Sequence, residues 1–155
     1  MLKVLFVCTG NTCRSPMAEA LARDRMKEEW EGKVEFSSAG TLDLGGSEAS
    51  PLAVEVMSEL EVDLSGHRST HLTEEIIESS ELIVPMAGRH RDVITMLVPG
   101  VEERVILLGE LDPGREEADI RDPIGGDRLI YRQARDDIES LIGPLLDYIS
   151  ERFSL

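Results

Sequence analysis

Long apolar runs, cysteines and aromatic residues are all scarce in this sequence. No apolar stretch approaches the roughly 18–20 residues that a bilayer-spanning helix needs, which argues against an integral membrane protein. The apolar run at 2–7 is also short for a secretory signal, so we expect a cytoplasmic protein. Only two cysteines are present, Cys8 and Cys13, too few and too close for a disulfide framework. The three histidines lie far from both cysteines, so no zinc-ligand spacing exists and we expect neither a metal nor a cofactor.

Positive charge is scarce as well. The chain has 16 Lys and Arg against 31 Asp and Glu, which gives a formal net charge of −15. Nucleic-acid backbones and anionic membrane surfaces select clustered cations, so we expect neither as a partner. An acidic protein that binds phosphate therefore needs a strongly local source of positive potential.

Short apolar segments alternate with segments of helical periodicity along the chain. Strands are predicted at 2–7, 34–37, 82–84 and 105–108. Helices are predicted from Ser15-Pro16 to Trp30, from Ser50-Pro51 to about residue 60, from Thr73, at 88–97 and from 130 to about 153. This alternation is typical of parallel β-α-β units with helices on both faces of an open sheet. We expect one α/β domain over residues 1–155, with ligands bound beyond the carboxyl ends of the strands.

The segment 7–16, Val-Cys-Thr-Gly-Asn-Thr-Cys-Arg-Ser-Pro, lies between the first predicted strand and the first predicted helix. Gly10 and Asn11 tolerate positive φ, so successive backbone N–H groups can turn inward and form an anion-binding nest. The helix N-terminus expected near Pro16 adds the positive end of its dipole. Arg14 adds a planar fork that suits two phosphate oxygens. Together these features predict a local phosphate site.

Cys8 occupies the first position of this nest. A helix N-terminus and a neighbouring cation favour thiolate over thiol, and a hydrogen bond from Ser15 would add to the effect. A thiolate beneath a bound phosphoryl group is positioned for in-line attack, which would give a cysteinyl-phosphate. A cysteine followed at this spacing by an arginine also occurs by chance in packed cores. The preceding strand, the Gly-Asn pair and the Ser-Pro helix start favour the nucleophile.

The run from Val7 to Ala20 closely resembles the signature of the low-molecular-weight protein tyrosine phosphatase family. Three further segments match the family in the expected order: Ser38-Ala39-Gly40-Thr41, Gly66-His67-Arg68-Ser69 and Asp122-Pro123. The resemblance covers nearly the whole chain and implies a three-layer α/β/α sandwich with a four-stranded parallel sheet. It also implies an enzyme whose phosphate-binding residues are Thr9, Gly10, Asn11, Thr12, Cys13, Arg14 and Ser15.

The same resemblance assigns catalytic roles. Cys8 is expected to be the nucleophile and Arg14 the phosphate clamp. Asp122, in a long loop where a mobile lid is expected, would protonate the leaving group and later activate water. Asp-Pro pairs are also ordinary turns, as Asp112-Pro113 illustrates.

Supporting roles follow from the resemblance too. Asn11, Ser38 and His67 would form hydrogen bonds that hold the phosphate loop. Thiol chemistry, rather than the resemblance, gives two interpretations of Cys13: a reversible disulfide partner that protects Cys8 from over-oxidation, or a small packed side chain.

Three positions bear on which phosphate is hydrolysed. Tyrosine phosphatases of this family usually carry a bulky aliphatic residue where this chain has Thr12, and aromatic residues just after the Asp-Pro pair. Here Ile124-Gly125-Gly126-Asp127 follows that pair, and aromatic residues make up only 4% of the chain. This version of the loop resembles the bacterial protein-arginine phosphatases. The Thr12 hydroxyl would suit a polar guanidinium and Asp127 would attract its charge, so we favour phosphoarginine over phosphotyrosine.

Two other functions use a similar loop. Thioredoxin-linked arsenate reductases need further cysteines to resolve an arsenic adduct, and none follows Cys13. A non-catalytic phosphate-binding module needs no cysteine at the base of the nest. The expected partner is a phosphorylated protein, and a monomer is the favoured state.

Overall fold

The central strand of the sheet is β1 (Leu2–Cys8). In the computed structural model, which describes all residues from 1 to 155, β1 pairs in parallel with β2 (Val34–Gly40) and with β3 (Leu82–Pro85). The register places Cys8 opposite Gly40. Because all three strands run the same way, their carboxyl ends share the edge at which β1 ends, and this is where such sheets bind ligands.

Side chains of β1 alternate between two hydrophobic clusters. Val4, Phe6 and Cys8 belong to a cluster of 30 buried residues. Leu5 and Val7 belong to a cluster of eight on the opposite face. A strand that is apolar on both sides must be covered on both sides, which explains the nearly continuous apolar sequence of β1.

Helices cover both faces of the sheet. The five α-helices are α1 (Arg14–Arg25), α2 (Pro51–Ser58), α3 (Glu74–Glu78), α4 (Gly88–Leu97) and α5 (Arg128–Phe153). Helices α1, α2 and α5 contribute to the larger cluster, whereas α3 and α4 contribute Ile77 and Ile94 to the smaller one. The result is an α/β/α sandwich, as predicted. No helix combines the length and the apolar character that a membrane span requires.

The sheet has three strands, so the expectation of a fourth strand was wrong. The predicted segment 105–108 touches the sheet only through a single bridge between Val105 and Ile83. The chain then leaves the sheet edge, because the Leu107 N–H bonds to the Glu110 carboxylate at 2.7 Å rather than to a neighbouring strand. A 3-10 turn over Leu108–Leu111 follows at once.

Helix α1 also differs from its predicted limits. It begins at Arg14, with Cys13 in the N-cap position, rather than at Pro16 with Ser15 as the cap. Pro16 is tolerated because the first turn of a helix has no use for its missing N–H. The helix ends at Arg25, and Trp30 reaches the core from a separate 3-10 turn, Glu28–Trp30.

Candidate active site

The phosphate loop, residues 8–14, joins β1 to α1 at the ligand-binding edge of the sheet. Asn11 adopts a φ of 54°, in the left-handed region that Asn tolerates better than most residues, whereas Gly10 does not use positive φ. Gly40 on β2 lies directly behind the loop. A Cβ atom at Gly40 would lie 2.8 Å from the Thr9 carbonyl oxygen and 2.9 Å from the Asn11 nitrogen. Only glycine therefore allows β2 to approach the loop this closely.

The thiol of Cys8 lies at the base of the loop and is 3% exposed. Its Sγ is 2.9 Å from the Ser15 hydroxyl oxygen. The backbone N–H of Asn11 also points at the sulfur, with a nitrogen–sulfur distance of 3.3 Å. Helix α1 begins at Arg14, six residues after Cys8, so its N-terminus adds positive potential in the same region. All of these groups direct hydrogen-bond donors or positive potential at the Cys8 sulfur.

Both amide atoms of the buried Asn11 side chain are hydrogen-bonded. Its Oδ1 accepts from the backbone N–H of Thr70 at 2.9 Å, and because that N–H can only donate, the orientation of the amide is determined. Its Nδ2 then donates to the hydroxyls of Ser15 and Ser38, each at 2.9 Å. Ser38 in turn donates to the Glu19 carboxylate at 2.6 Å.

The direction of these bonds leaves the Ser15 hydroxyl proton free to be donated to Cys8. Since its oxygen accepts from Asn11, its own proton is available for Cys8 Sγ. A donated hydrogen bond stabilises the charged form of the sulfur more than the neutral form. Ser15 is therefore placed to donate to Cys8 Sγ, and it is not the helix cap that its position in the sequence indicates.

His67 supports the loop from its outer side. Its Nε2 lies 2.7 Å from the carbonyl oxygen of Asn11. A carbonyl only accepts, so Nε2 carries the proton and donates. The residues predicted to hold the loop thus form one hydrogen-bonded group, in which Ser38 and His67 both bond to Asn11.

Arg14 is 2% exposed and is fixed from two sides. One terminal nitrogen donates to the Ile120 carbonyl at 3.0 Å, and the other lies 3.4 Å from Asp122 Oδ2. The guanidinium of Arg89, on α4, approaches the same carboxylate oxygen at 3.7 Å. The second carboxylate oxygen accepts from the Ile124 N–H at 3.1 Å. A phosphate bound by Arg14 would compete with Asp122 for the guanidinium.

A pocket of about 250 Å³ opens over the loop. Its walls are formed by phosphate-loop residues, Asp122 and three aliphatic side chains, those of Leu42, Leu44 and Ile124. Leu42 and Ile124 are 54% and 68% exposed, so this apolar rim is open to solvent. No aromatic side chain lines the pocket, in agreement with the sparse aromatic content.

Of the three residues predicted to set substrate preference, two line the pocket and one does not. Thr12 lines the pocket, with its hydroxyl 3.8 Å from Cys13 Sγ. Ile124 lies at the rim. Asp127 lies outside the pocket lining: it is the N-cap of α5, and its carboxylate accepts from the Ile130 N–H at 3.1 Å.

Cys13 is buried beside Tyr131 of α5. The Tyr131 hydroxyl is 3.5 Å from Cys13 Sγ and 2.9 Å from the Ser50 hydroxyl. Burial raises the pKa of the Cys13 thiol, and burial likewise raises the pKa of Tyr131 to about 12. Both Cys13 and Cys8 are free thiols. The Tyr131 contacts tie the phosphate loop to α2 and α5.

Sequence analysis missed three polar neighbours of the site. They are Arg89, His90 and Tyr131. A signal for the first two exists, because they occupy the first turn of α4, just beyond the carboxyl end of β3. No local signal marks Tyr131, whose helix begins in the loop after Asp122.

Comparison with known proteins agrees with this architecture. The profile of the family described as "Low molecular weight phosphotyrosine protein phosphatase" matches residues 3–154. The chain therefore belongs to this family of hydrolases.

Relatives within the family differ in their named substrates. The protein-arginine-phosphatase of Bacillus subtilis (strain 168) is 40% identical over 93% of this chain and 94% of its own length. The probable low molecular weight protein-tyrosine-phosphatase EpsP of Ralstonia solanacearum is 37% identical over 84% of each chain. A solved structure of the YwlE arginine phosphatase, a mutant with a phosphorylated active site serine, superimposes with a TM-score of 0.86 at 39% identity, covering 96% of both chains.

Proposed function

We propose that this chain is a protein phosphatase that removes the phosphoryl group of phosphoarginine through a cysteinyl-phosphate at Cys8. The observation that carries the proposal is the pair of donors aimed at Cys8 Sγ, the Ser15 hydroxyl and the Asn11 N–H. A cysteine that only packs in a core has no need of such donors. The phosphorylated active site serine in the related YwlE structure supports covalent phosphoryl transfer in this family.

In the first step, the substrate phosphate replaces Asp122 as the partner of Arg14 and fills the phosphate loop. Cys8 Sγ attacks phosphorus with a lone pair while the P–N bond to the guanidine breaks. Asp122, in its acid form, transfers its proton to the departing nitrogen. The products are a free arginine side chain and phosphocysteine.

In the second step, the Asp122 carboxylate takes a proton from a water molecule whose oxygen attacks phosphorus. The electrons of the S–P bond return to Cys8 as a thiolate, which the Ser15 hydroxyl stabilises. Inorganic phosphate leaves the loop. Asp122 ends the cycle protonated, as it began.

The choice of phosphoarginine depends on the pocket walls. Thr12 presents a hydroxyl where a bulky aliphatic group would narrow the pocket, and a hydroxyl oxygen can accept from a guanidinium N–H. The lining contains no aromatic ring that would stack on a phenol. Asp127 contributes only through its charge, because its carboxylate caps α5. The name of the B. subtilis relative supports the same substrate.

Phosphotyrosine is the second candidate. The exposed aliphatic side chains of Leu42 and Ile124 offer a surface on which a phenol ring could pack. Arsenate reduction is a weaker candidate, because the chain has no third cysteine to resolve an adduct at Cys8.

A side-by-side turnover assay on phosphoarginine and phosphotyrosine peptides tests the substrate. We expect kcat/KM to favour phosphoarginine in the wild type and in Thr12→Ser, and Thr12→Ile to shift the ratio toward phosphotyrosine by roughly tenfold or more. If phosphotyrosine is preferred by both the wild type and Thr12→Ile, the substrate assignment is wrong. Cys8→Ser is the control for the nucleophile, and retained turnover in that variant would reject Cys8.

We also infer that the enzyme acts on phosphorylated proteins as a monomer in the cytoplasm. Every side chain used in the two steps comes from one chain. Cys8 must stay reduced to act as a nucleophile, and a reducing compartment meets this requirement.

A further inference from the structure

His90 contacts the phosphate loop and has no part in the steps above. It lies in the first turn of α4, is 1% exposed, and its Nε2 is 2.9 Å from the Thr9 hydroxyl oxygen. Its other ring nitrogen, Nδ1, is buried without a hydrogen-bond partner. Buried polar atoms nearly always have partners, so the unpartnered Nδ1 of His90 calls for an explanation.

The contact connects His90 to the catalytic pocket through Thr9. Thr9 follows Cys8 directly and lines the pocket over the loop. Thr9 also lines a neighbouring depression of about 330 Å³, together with His90, Arg89 and Asp122. Thr9 and Asp122 are common to both cavities, so the His90–Thr9 contact lies beside the position at which phosphoryl transfer would occur.

The surroundings of His90 keep the imidazole neutral at physiological pH. Burial, and then the positive charges of Arg14 and Arg89, lower the pKa of His90 to about 4, against a smaller opposite effect of Asp119 and Asp122. A neutral imidazole carries its proton on one nitrogen only.

The unpaired Nδ1 indicates which nitrogen holds the proton. If Nδ1 carried it, a buried N–H donor would have no acceptor, and orphaned donors are rarer than under-satisfied acceptors. The favoured tautomer is therefore Nε2–H, which donates to Thr9 Oγ1. The Thr9 hydroxyl proton then remains free for a different acceptor, and the pocket that Thr9 lines is where phosphoryl oxygens would lie.

We propose that His90 is a positioning residue, which donates from Nε2 to Thr9 and so directs the Thr9 hydroxyl proton toward a phosphoryl oxygen bound in the loop. The inference rests on the proposed phosphatase site but not on the choice between phosphoarginine and phosphotyrosine. It adds a side-chain donor to the backbone N–H groups and the Arg14 guanidinium that would bind the phosphate.

Nuclear magnetic resonance tests the tautomer without reference to activity. Only three histidines are present, so the ring nitrogens of His90 can be assigned by comparison with His90→Gln. At pH 7 we expect the Nε2–H tautomer. A proton on Nδ1 would overturn the proposal.

Kinetics and phosphate binding test the consequence. Thr9→Val and His90→Leu should each lower kcat/KM, and weaken binding of inorganic phosphate, by about three- to tenfold, because each removes the same donated hydrogen bond. The double variant should lose no more than either single variant. His90→Gln keeps an N–H near the position of Nε2 and should retain most of the affinity, and His71→Leu, at an exposed histidine outside both cavities, is the matched control.

Two results would contradict the proposal. One is a double variant whose fold loss of phosphate affinity equals the product of the two single fold losses, since the two residues would then act independently. The other is weakened phosphate binding in His90→Gln equal to that in His90→Leu while thermal unfolding is unchanged. Phosphate binding is measured by calorimetry, so failure of the catalytic assignment at Cys8 would not be mistaken for failure at His90.

Discussion

The phosphate loop and the loop that carries Asp122 are held in opposite ways. Asn11, at the centre of the first, is fully buried and has every amide atom paired. In the second, Asp122 is held by two ion pairs of 3.4 and 3.7 Å and one backbone bond. Its neighbour Ile124 is 68% exposed, and Gly125 adopts a φ of 79°.

This difference corresponds to two chemical tasks. Donors that stabilise a thiolate and a phosphate act best when they are already in position, because reorganisation at the moment of reaction costs free energy. The acid must first leave Arg14 and then approach a leaving group that varies with substrate. A loop with few buried contacts can move at little cost.

Replacing Asp122 by Asn should give the largest effect, and it should be confined to chemistry. We expect kcat on phosphopeptides to fall by roughly 10²–10⁴-fold, because proton transfer to the leaving group is lost. The midpoint of thermal unfolding should hardly change, since Asp122 is 32% exposed and an amide oxygen at this position can still accept from the Arg14 guanidinium. Asp112→Asn, at the other Asp-Pro pair, is the matched control and should behave as wild type in both assays. A large loss of stability in Asp122→Asn would contradict the comparison between the two loops.

Replacing Asn11 by Ala should lower both stability and activity. The change leaves the buried polar partners of the amide unpaired, which costs about 1–3 kcal/mol. It also places alanine at a φ of 54°, where its side chain cannot form the local hydrogen bonds that make this conformation tolerable for Asn. Chemical denaturation should show a loss of about 2–4 kcal/mol in the free energy of unfolding. Asn11→Gly relieves the backbone strain but not the lost bonds, so it should fall between Asn11→Ala and wild type. Wild-type stability in Asn11→Ala would mean that the paired amide does not hold the loop.

The smallest expected effect is a pH dependence from His90. Its pKa is about 4 in the folded protein against 6.5 in a reference chain, so the unfolded state binds the extra proton between these values. Stability should therefore fall as pH drops from 6.5 to 4, and His90→Gln should flatten this part of the curve by on the order of 2 kcal/mol. Denaturation at several pH values measures the difference, with His71→Gln as control. Parallel curves for the wild type and His90→Gln would show that His90 is not held neutral by the fold.

The sequence predicted the α/β architecture because its signals are local. Alternating apolar segments, Thr73 as a cap and Gly88 as a helix start each depend on a few neighbouring residues. The family resemblance identified Cys8, Arg14 and Asp122 for the same reason, since each lies in a short recognisable segment. The prediction of a fourth strand failed because pairing at a sheet edge depends on tertiary contacts. The Glu110 carboxylate accepts the hydrogen bond from the Leu107 N–H, and the contact with β3 ends after one bridge.

The donors around the loop could not be predicted as easily. His90 and Tyr131 reach it from α4 and α5. The position of His90 just after β3 indicates only that it lies near the site and not that it contacts Thr9, and no local signal marks Tyr131. The direction of the hydrogen bonds through Asn11 likewise depends on Thr70, a backbone donor brought in by a distant segment. For Ser15 the sequence predicted two roles, a helix cap and a hydrogen bond to Cys8. The structure shows the contact with Cys8 Sγ and places the cap at Cys13 instead.

Gly40 carries a consequence for protein engineering. The segment from Cys8 to Arg14 itself spans only the end of one strand, one loop and the start of one helix. Here the adjacent strand must also be bare at one position, because any side chain at Gly40 would collide with the backbone of residues 9 and 11. A graft of this segment onto another parallel sheet should therefore fail unless the neighbouring strand brings its own glycine. The unit to transplant is therefore β1, the phosphate loop and α1 together with β2.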